Sequence, residues 1–119
     1  MNWIFVGALL GAVSVMAGAF GAHGLAARLD ARSLDLWETA ARYLMYGALA
    51  MVLVGIFGRQ VARGVDGAGW CLLLGSLIFS GTVAILALGG PRWLGAVTPI
   101  GGLLLIAGFL LFAWAALKT

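Results

Sequence analysis

The chain is short of nearly everything a water-facing surface is made of. Its 119 residues include 7 Lys and Arg and 4 Asp and Glu, 9% charged in all, where an average soluble domain carries about 25%. So few charged side chains cannot cover a domain of this size, which excludes an ordinary soluble globule and leaves the bilayer as solvent. Cysteine is represented once, by Cys71, so no disulfide can form within the chain and the redox compartment cannot be read from it. Cys71 falls inside an apolar stretch and reads as an inert small hydrophobe. His23 is the single histidine; with one imidazole and one thiol far apart there is no ligand spacing, and neither a metal nor a cofactor is expected. The net charge of +3 comes from basic residues scattered over several boundaries rather than gathered in a run. Nucleic acid is therefore not an expected partner, and these residues read as interfacial anchors.

What is present in quantity is apolar surface and glycine: 64% hydrophobic residues and 19 glycines, about twice the ordinary glycine frequency of roughly 7%. In lipid, small residues let helix backbones approach closely. Trp3 to Ala22 is uncharged over its whole length, enough for a helix of about 30 Å, the thickness of a hydrocarbon core. One face of it carries Gly7, Gly11, Ser14, Gly18 and Gly21 at alternating steps of four and three. That is a packing stripe, open to a neighbouring helix of the same chain or to a second copy, so a homo-oligomer is an expectation. A cleavable signal peptide is the competing reading, since Ala17-Gly18-Ala19 resembles a small-residue cleavage site. No Lys or Arg precedes the apolar run, and the segment is expected to be retained.

Charge is concentrated after this span. From Gly24 to Arg42 the residues Arg28, Asp30, Arg32, Asp35, Glu38 and Arg42 interleave with leucines and Trp37. This spacing predicts an amphipathic helix at the interface. Asp35 with Glu38 forms a candidate capping box, and Ser33 is an alternative cap. Further spans are expected at about 43–58, 70–88 and 96–117. Between them lie a polar turn from Gln60 to Gly69, containing Arg63, and the helix-breaking Gly89-Gly90-Pro91. Thr98 is read as the cap of the last span, with Pro99 in its first turn. Four antiparallel passes put Trp3, Trp70 and Trp114 near one boundary and Trp37 and Trp93 near the other. Basic residues are nearly balanced between the two sides, so charge does not orient the chain. The reading is an all-α integral membrane protein of four transmembrane helices, with an amphipathic interfacial helix between the first and second. It would be multi-pass, in the plasma or inner membrane if bacterial.

Four short stretches, in order, carry a resemblance: Gly18-Ala-Phe-Gly-Ala-His-Gly-Leu25, Trp37-Glu-Thr-Ala-Ala-Arg-Tyr-Leu-Met-Tyr46, Phe79-Ser-Gly81 and Thr98-Pro-Ile-Gly-Gly102. Together they resemble the small membrane proteins called domain of unknown function 423, which are similar to eukaryotic transmembrane protein 256. The resemblance covers nearly the whole chain and implies the four-span fold, with no activity attached. The family pattern has a histidine after the second tyrosine of Tyr-x-x-Tyr, where this chain has Gly47.

Candidate functional residues lie at one membrane boundary. His23, Glu38, Arg42, Tyr43 and Tyr46 are candidates for a ligand contact or a polar cluster, the single-cluster hypothesis joining His23, Glu38, Arg42 and Tyr46. The plainer alternatives are a histidine hydrogen-bonded to a loop or to Glu38, and a boundary salt bridge between Glu38 and Arg42 with the arginine snorkelling. Gly18, Gly21 and Gly24 are not a phosphate loop, since no strand precedes them and no Lys-Ser/Thr follows. Ser80 and Thr98 have no histidine–carboxylate pair to activate them, so catalysis is not expected. Two functions remain. One is a non-enzymatic membrane protein binding lipid, a hydrophobic small molecule or a membrane partner near the first loop. The alternative is a small oligomeric channel or transporter, against which stands the lack of any acidic residue within a span.

Overall fold

A computed structural model describes residues 1–61 and 64–119. The described residues form helices throughout: α1, Trp3–Phe20, which runs into a π-helical turn, Gly21–Leu25; α2, Ala31–Val61; α3, Asp66–Ala87; and α4, Leu94–Leu117. All four long helices have the length and apolar composition to cross a membrane. The chain runs up and down, so one face holds both termini and the α2–α3 connection, the terminal face. The α1–α2 and α3–α4 connections lie at the opposite, loop face. Arg63, expected in the polar α2–α3 turn, lies outside the described residues.

The helix ends follow from local chemistry. The Asn2 side chain caps α1 by accepting the Phe5 N–H at 3.1 Å. At the end of α3, Gly89 takes φ +92°, while Gly89 N–H donates to Leu86 and Gly90 N–H to Ile85. This glycine-dependent stop satisfies the last carbonyls of the helix.

Three expected boundaries move. The amphipathic segment is helical, but it is not a separate element: α2 has 31 residues, about 46 Å of helix, and contains both the charged stretch and the second span. No Gly or Pro occurs between Ala31 and Tyr46, so nothing in the backbone asks for a break. Its cap is neither Ser33 nor Asp35. Asp30 caps it, with Oδ1 accepting the Ser33 N–H at 2.8 Å. At the other end of the chain α4 begins at Leu94, and Pro99 lies inside it rather than in its first turn. The Thr98 hydroxyl, expected to cap this helix, donates to the Leu94 carbonyl at 3.1 Å and meets the Thr82 hydroxyl at 2.6 Å.

Neighbours in sequence are neighbours in space: α1 packs on α2, α2 on α3 and α3 on α4, with only slight α2–α4 contact. The two central helices supply most of the core, where Met51, Val54 and Leu72 are wholly buried. Glycine sets the separations. A methyl group at Gly7 of α1 would sit 2.6 Å from the Ala48 carbonyl oxygen of α2. One at Gly75 of α3 would sit 2.6 Å from the Leu105 nitrogen of α4. Gly11 and Gly21 also face α2, and Ser14 donates to the Ala41 carbonyl at 2.6 Å, whereas Gly18 has no neighbour within 4 Å. The face of α1 from which assembly between copies was expected is thus largely occupied by α2.

Two tryptophans act inside the molecule rather than at the lipid boundary. Trp3 is 2% exposed, lies against Gly69 and donates its indole N–H to Asp66 Oδ1 at 2.8 Å. Trp37 donates to the Ala17 carbonyl at 2.8 Å and lies against Gly21, pinning the π turn to α2. Trp70, Trp93 and Trp114 are exposed, as an aromatic belt requires.

Candidate functional site

Because helices two apart barely touch, the bundle has open valleys. The one between α2 and α4 is floored by α3 and closed toward the terminal face, where Phe57 and Phe112 meet at 5.6 Å between ring centroids. Toward the loop face it widens.

Its mouth is a cleft of about 520 Å³ lined by Asp30, Arg32, Ser33 and Leu36 on one side and Leu86, Gly90, Arg92 and Gly95 on the other. Deeper lies an apolar groove of about 510 Å³ between Tyr43 and Tyr46 of α2, Phe79 of α3, and Gly102, Leu105, Ile106, Phe109 and Leu110 of α4. Helical register joins the two. Arg32, Leu36, Tyr43 and Tyr46 follow one face of α2, Gly95, Gly102, Ile106 and Phe109 one face of α4, and Leu86 lies two turns beyond Phe79 on α3. From Gly95 to Leu110 the valley runs about 22 Å at 1.5 Å per residue, longer than the roughly 15 Å hydrocarbon depth of one leaflet.

Charge and apolarity are separated along this length. At the mouth two guanidinium groups face one carboxylate, and that carboxylate is engaged. The Ser33 backbone N–H and then its hydroxyl hold Asp30 below its ordinary pKa of 3.8, against a smaller opposing effect of burial, with the charge of Arg32 the least of the contributions. In the shaft the rings of Tyr43 and Tyr46 lie 5.2 Å apart at 73°, and Tyr43 lies 4.8 Å from Phe79. These contacts hold the wall in one shape.

Of the candidates for a ligand contact or polar cluster, Tyr43 and Tyr46 come together as part of this wall. His23 lies exposed on the π turn, and Glu38 and Arg42 are exposed on α2. Among the described residues no hydrogen bond or ion pair joins these three to one another or to the tyrosines. Arg32, Arg92, Leu36, Phe109 and Leu105 were not singled out by sequence, since nothing in their local spacing says that the start of α2 and the start of α4 flank the same cleft. Phe79 did carry a signal, as part of a motif. The four motifs meet in space: Gly21 against Trp37, Tyr43 against Phe79, and Phe79 against Gly101 and Gly102.

Four apolar helices of membrane-crossing length, bounded by charged and aromatic ends, define a multi-pass integral membrane protein. The chain belongs to the family described as "Protein of unknown function (DUF423)", which it matches over residues 17–102, from the end of α1 to the Gly102 wall of the valley. It is 46% identical over 116 residues to a UPF0382 membrane protein of Staphylococcus haemolyticus, covering 98% of this chain and 95% of that one. It is 43% identical over 116 residues to a UPF0382 membrane protein of Staphylococcus saprophyticus, covering 98% and 97%. No solved structure matches it.

Proposed function

We propose that the protein is a non-catalytic lipid-binding membrane protein, and that it holds one anionic phospholipid in the α2–α4 valley. The observation that carries this reading is the order of groups along the valley: Arg32 and Arg92 at the loop-face mouth, then an apolar, aromatic-walled shaft. An anionic headgroup at the mouth meets both guanidinium groups at the depth where headgroups lie. One acyl chain then follows Leu36 and Leu86 inward to Tyr43, Tyr46, Ile106 and Phe109. The valley supplies no paired nucleophile and base, and among the described residues no three metal-binding side chains cluster. A transport path has less support, because the buried hydroxyls are divided. Thr82 turns to Thr98 on α4, while Ser76 and Ser80 line a pocket against α1 and α2.

Thermal unfolding in detergent with added lipid tests the assignment. Phosphatidylglycerol is expected to raise the midpoint more than phosphatidylcholine of the same chains. Arg32→Gln with Arg92→Gln should reduce that preference about thirtyfold in apparent affinity, from about 1 kcal/mol per basic residue. Equal stabilisation by both lipids, or an undiminished preference in the double variant, would overturn the reading.

A further inference from the structure

α2 turns one face outward along its whole length. Asp35, Glu38, Arg42, Leu49, Leu53 and Ile56 recur at steps of three, four and seven, so they share a face, and all six are exposed. The apolar half of this stripe is what a helix in lipid requires. The charged half is not, because of how deep it lies.

Depth follows from contacts with the neighbouring helices. Ser14 donates to the Ala41 carbonyl, and Ser14 stands eleven residues from Trp3, about 16 Å along α1 from its terminal-face end. On the other side Tyr43 packs on Phe79, which lies against Gly102. Gly102 is eight residues from Leu94, about 12 Å inside the loop-face end of α4. The two distances together nearly fill the roughly 30 Å thickness of a hydrocarbon core. The backbone of Arg42 therefore lies near the middle of the membrane, with Glu38 one turn nearer the loop face. Ionisable side chains at such depth are costly, and they ordinarily face a protein interior and pair with one another. Here both face outward, and among the described residues neither has an ion-pair or hydrogen-bond partner.

The order of the two charges restricts what covers them. Glu38 and Arg42 are close enough in sequence to meet within the helix, but a pair made there would still face hydrocarbon. A lipid phosphate descending to Arg42 would first pass the Glu38 carboxylate, which repels it, and would leave Glu38 unpaired. A second α2 answers both charges. Insertion in the membrane sets two copies the same way up, so a two-fold axis along the membrane normal brings the same stripe of each to the same depth. Side chains on a helix lean toward its N-terminus, which for α2 is the loop face. Arg42 of each copy thus leans to the level of Glu38 of the other, and both charges are matched twice. Leu49 and Ile56 continue the seven-residue spacing of Asp35 and Arg42, the repeat along which two parallel helices keep one seam in contact.

We propose that the protein forms a two-fold dimer through the outward stripe of α2, with Glu38 of each copy paired to Arg42 of the other within the membrane. The interface does not depend on any lipid held in the α2–α4 valley.

The test uses the full chain in phosphatidylcholine vesicles, with donor and acceptor dyes on separate copies and the protein diluted in lipid. Wild-type copies should show energy transfer that saturates with protein density and exceeds chance proximity. Glu38→Arg and Arg42→Glu should each weaken association about tenfold, the effect of losing interhelical polar contacts in lipid. Donor-labelled Glu38→Arg mixed with acceptor-labelled Arg42→Glu should recover wild-type transfer, since one copy then presents two cations and the other two anions. A pair confined to one helix cannot be restored by mixing. In an otherwise native Cys71→Ser chain, Leu49→Cys should oxidise to a disulfide-linked dimer, whereas Leu9→Cys on α1 and Leu103→Cys on α4, both exposed positions, should not. That result stands whether or not the charge variants fold. Wild-type transfer no greater than chance, no gain on mixing the charge variants, or cross-linking through Leu9→Cys or Leu103→Cys in place of Leu49→Cys would overturn the proposal.

Discussion

Gly7, Gly11 and Gly18 share one face of α1, yet they differ in what a single methyl group would meet. At Gly7 it would press on the Ala48 carbonyl and the Val52 nitrogen, backbone atoms that cannot turn aside. At Gly11 the nearest atoms are 3.9 and 4.0 Å away, ordinary contact, and at Gly18 there is open space. Gly7→Ala is therefore expected to destabilise the protein by about 1–3 kcal/mol, as overpacking does. Gly11→Ala and Gly18→Ala should be neutral or mildly stabilising, alanine being the better helix former. Unfolding midpoints of the three variants in one detergent check this; a Gly18→Ala protein as unstable as Gly7→Ala would contradict it. Sequence spacing places all three residues on one face, but it carries no information on how closely another helix approaches each of them. The same limit applies to Gly47. Its Cα lies under the Ser76 hydroxyl, a relation between α2 and α3 that no local pattern encodes.

At the level of elements, the four apolar helices were legible because length and hydropathy alone decide which segments can cross a bilayer. The start of α2 was less legible. The change from apolar to charged residues after Leu25 resembles the edge of an element, yet helix formation depends on backbone hydrogen bonds and propensity, which continue unbroken through Ala31 to Val61. The cap was missed for a related reason: Asp30, Ser33 and Asp35 are all good capping residues, and only the path of the preceding turn selects among them. The choice has a pH signature. The Asp30 carboxyl has a folded pKa below 3.8, so its contribution to α2 is complete above that value and is lost as pH falls through the lowered one. The hydrogen-exchange protection factor of the Ser33 amide should hold down to about pH 3.8 and fall below it. In Asp30→Asn, which keeps an acceptor oxygen but no titrating group, it should be independent of pH over that range. A wild-type protection factor flat through the same acidification would show that the cap is not the group responsible.

Across the whole molecule, four helices stand in an open order in which each packs chiefly on its sequence neighbours, so α1 and α4 present long apolar faces to lipid. The valleys are consequences of that order, and they are what sequence could not show. The tyrosines of the α2–α4 valley were marked by a motif, whereas Arg32 and Arg92 lie 60 residues apart and join one mouth only because the α1–α2 and α3–α4 connections fall on the same membrane face. On the proposed reading this valley, and not the lipid-facing surface at large, holds a phospholipid chain. Photolabelling with phosphatidylglycerol carrying a diazirine on its acyl chain, with and without excess unlabelled lipid, tests it most directly. The predicted result is labelling of Tyr43, Tyr46, Ile106 and Phe109 that excess phosphatidylglycerol suppresses and phosphatidylcholine does not. Label spread over exposed Phe5, Leu9 and Val13 of α1 as heavily as over the valley, with no such competition, would contradict it.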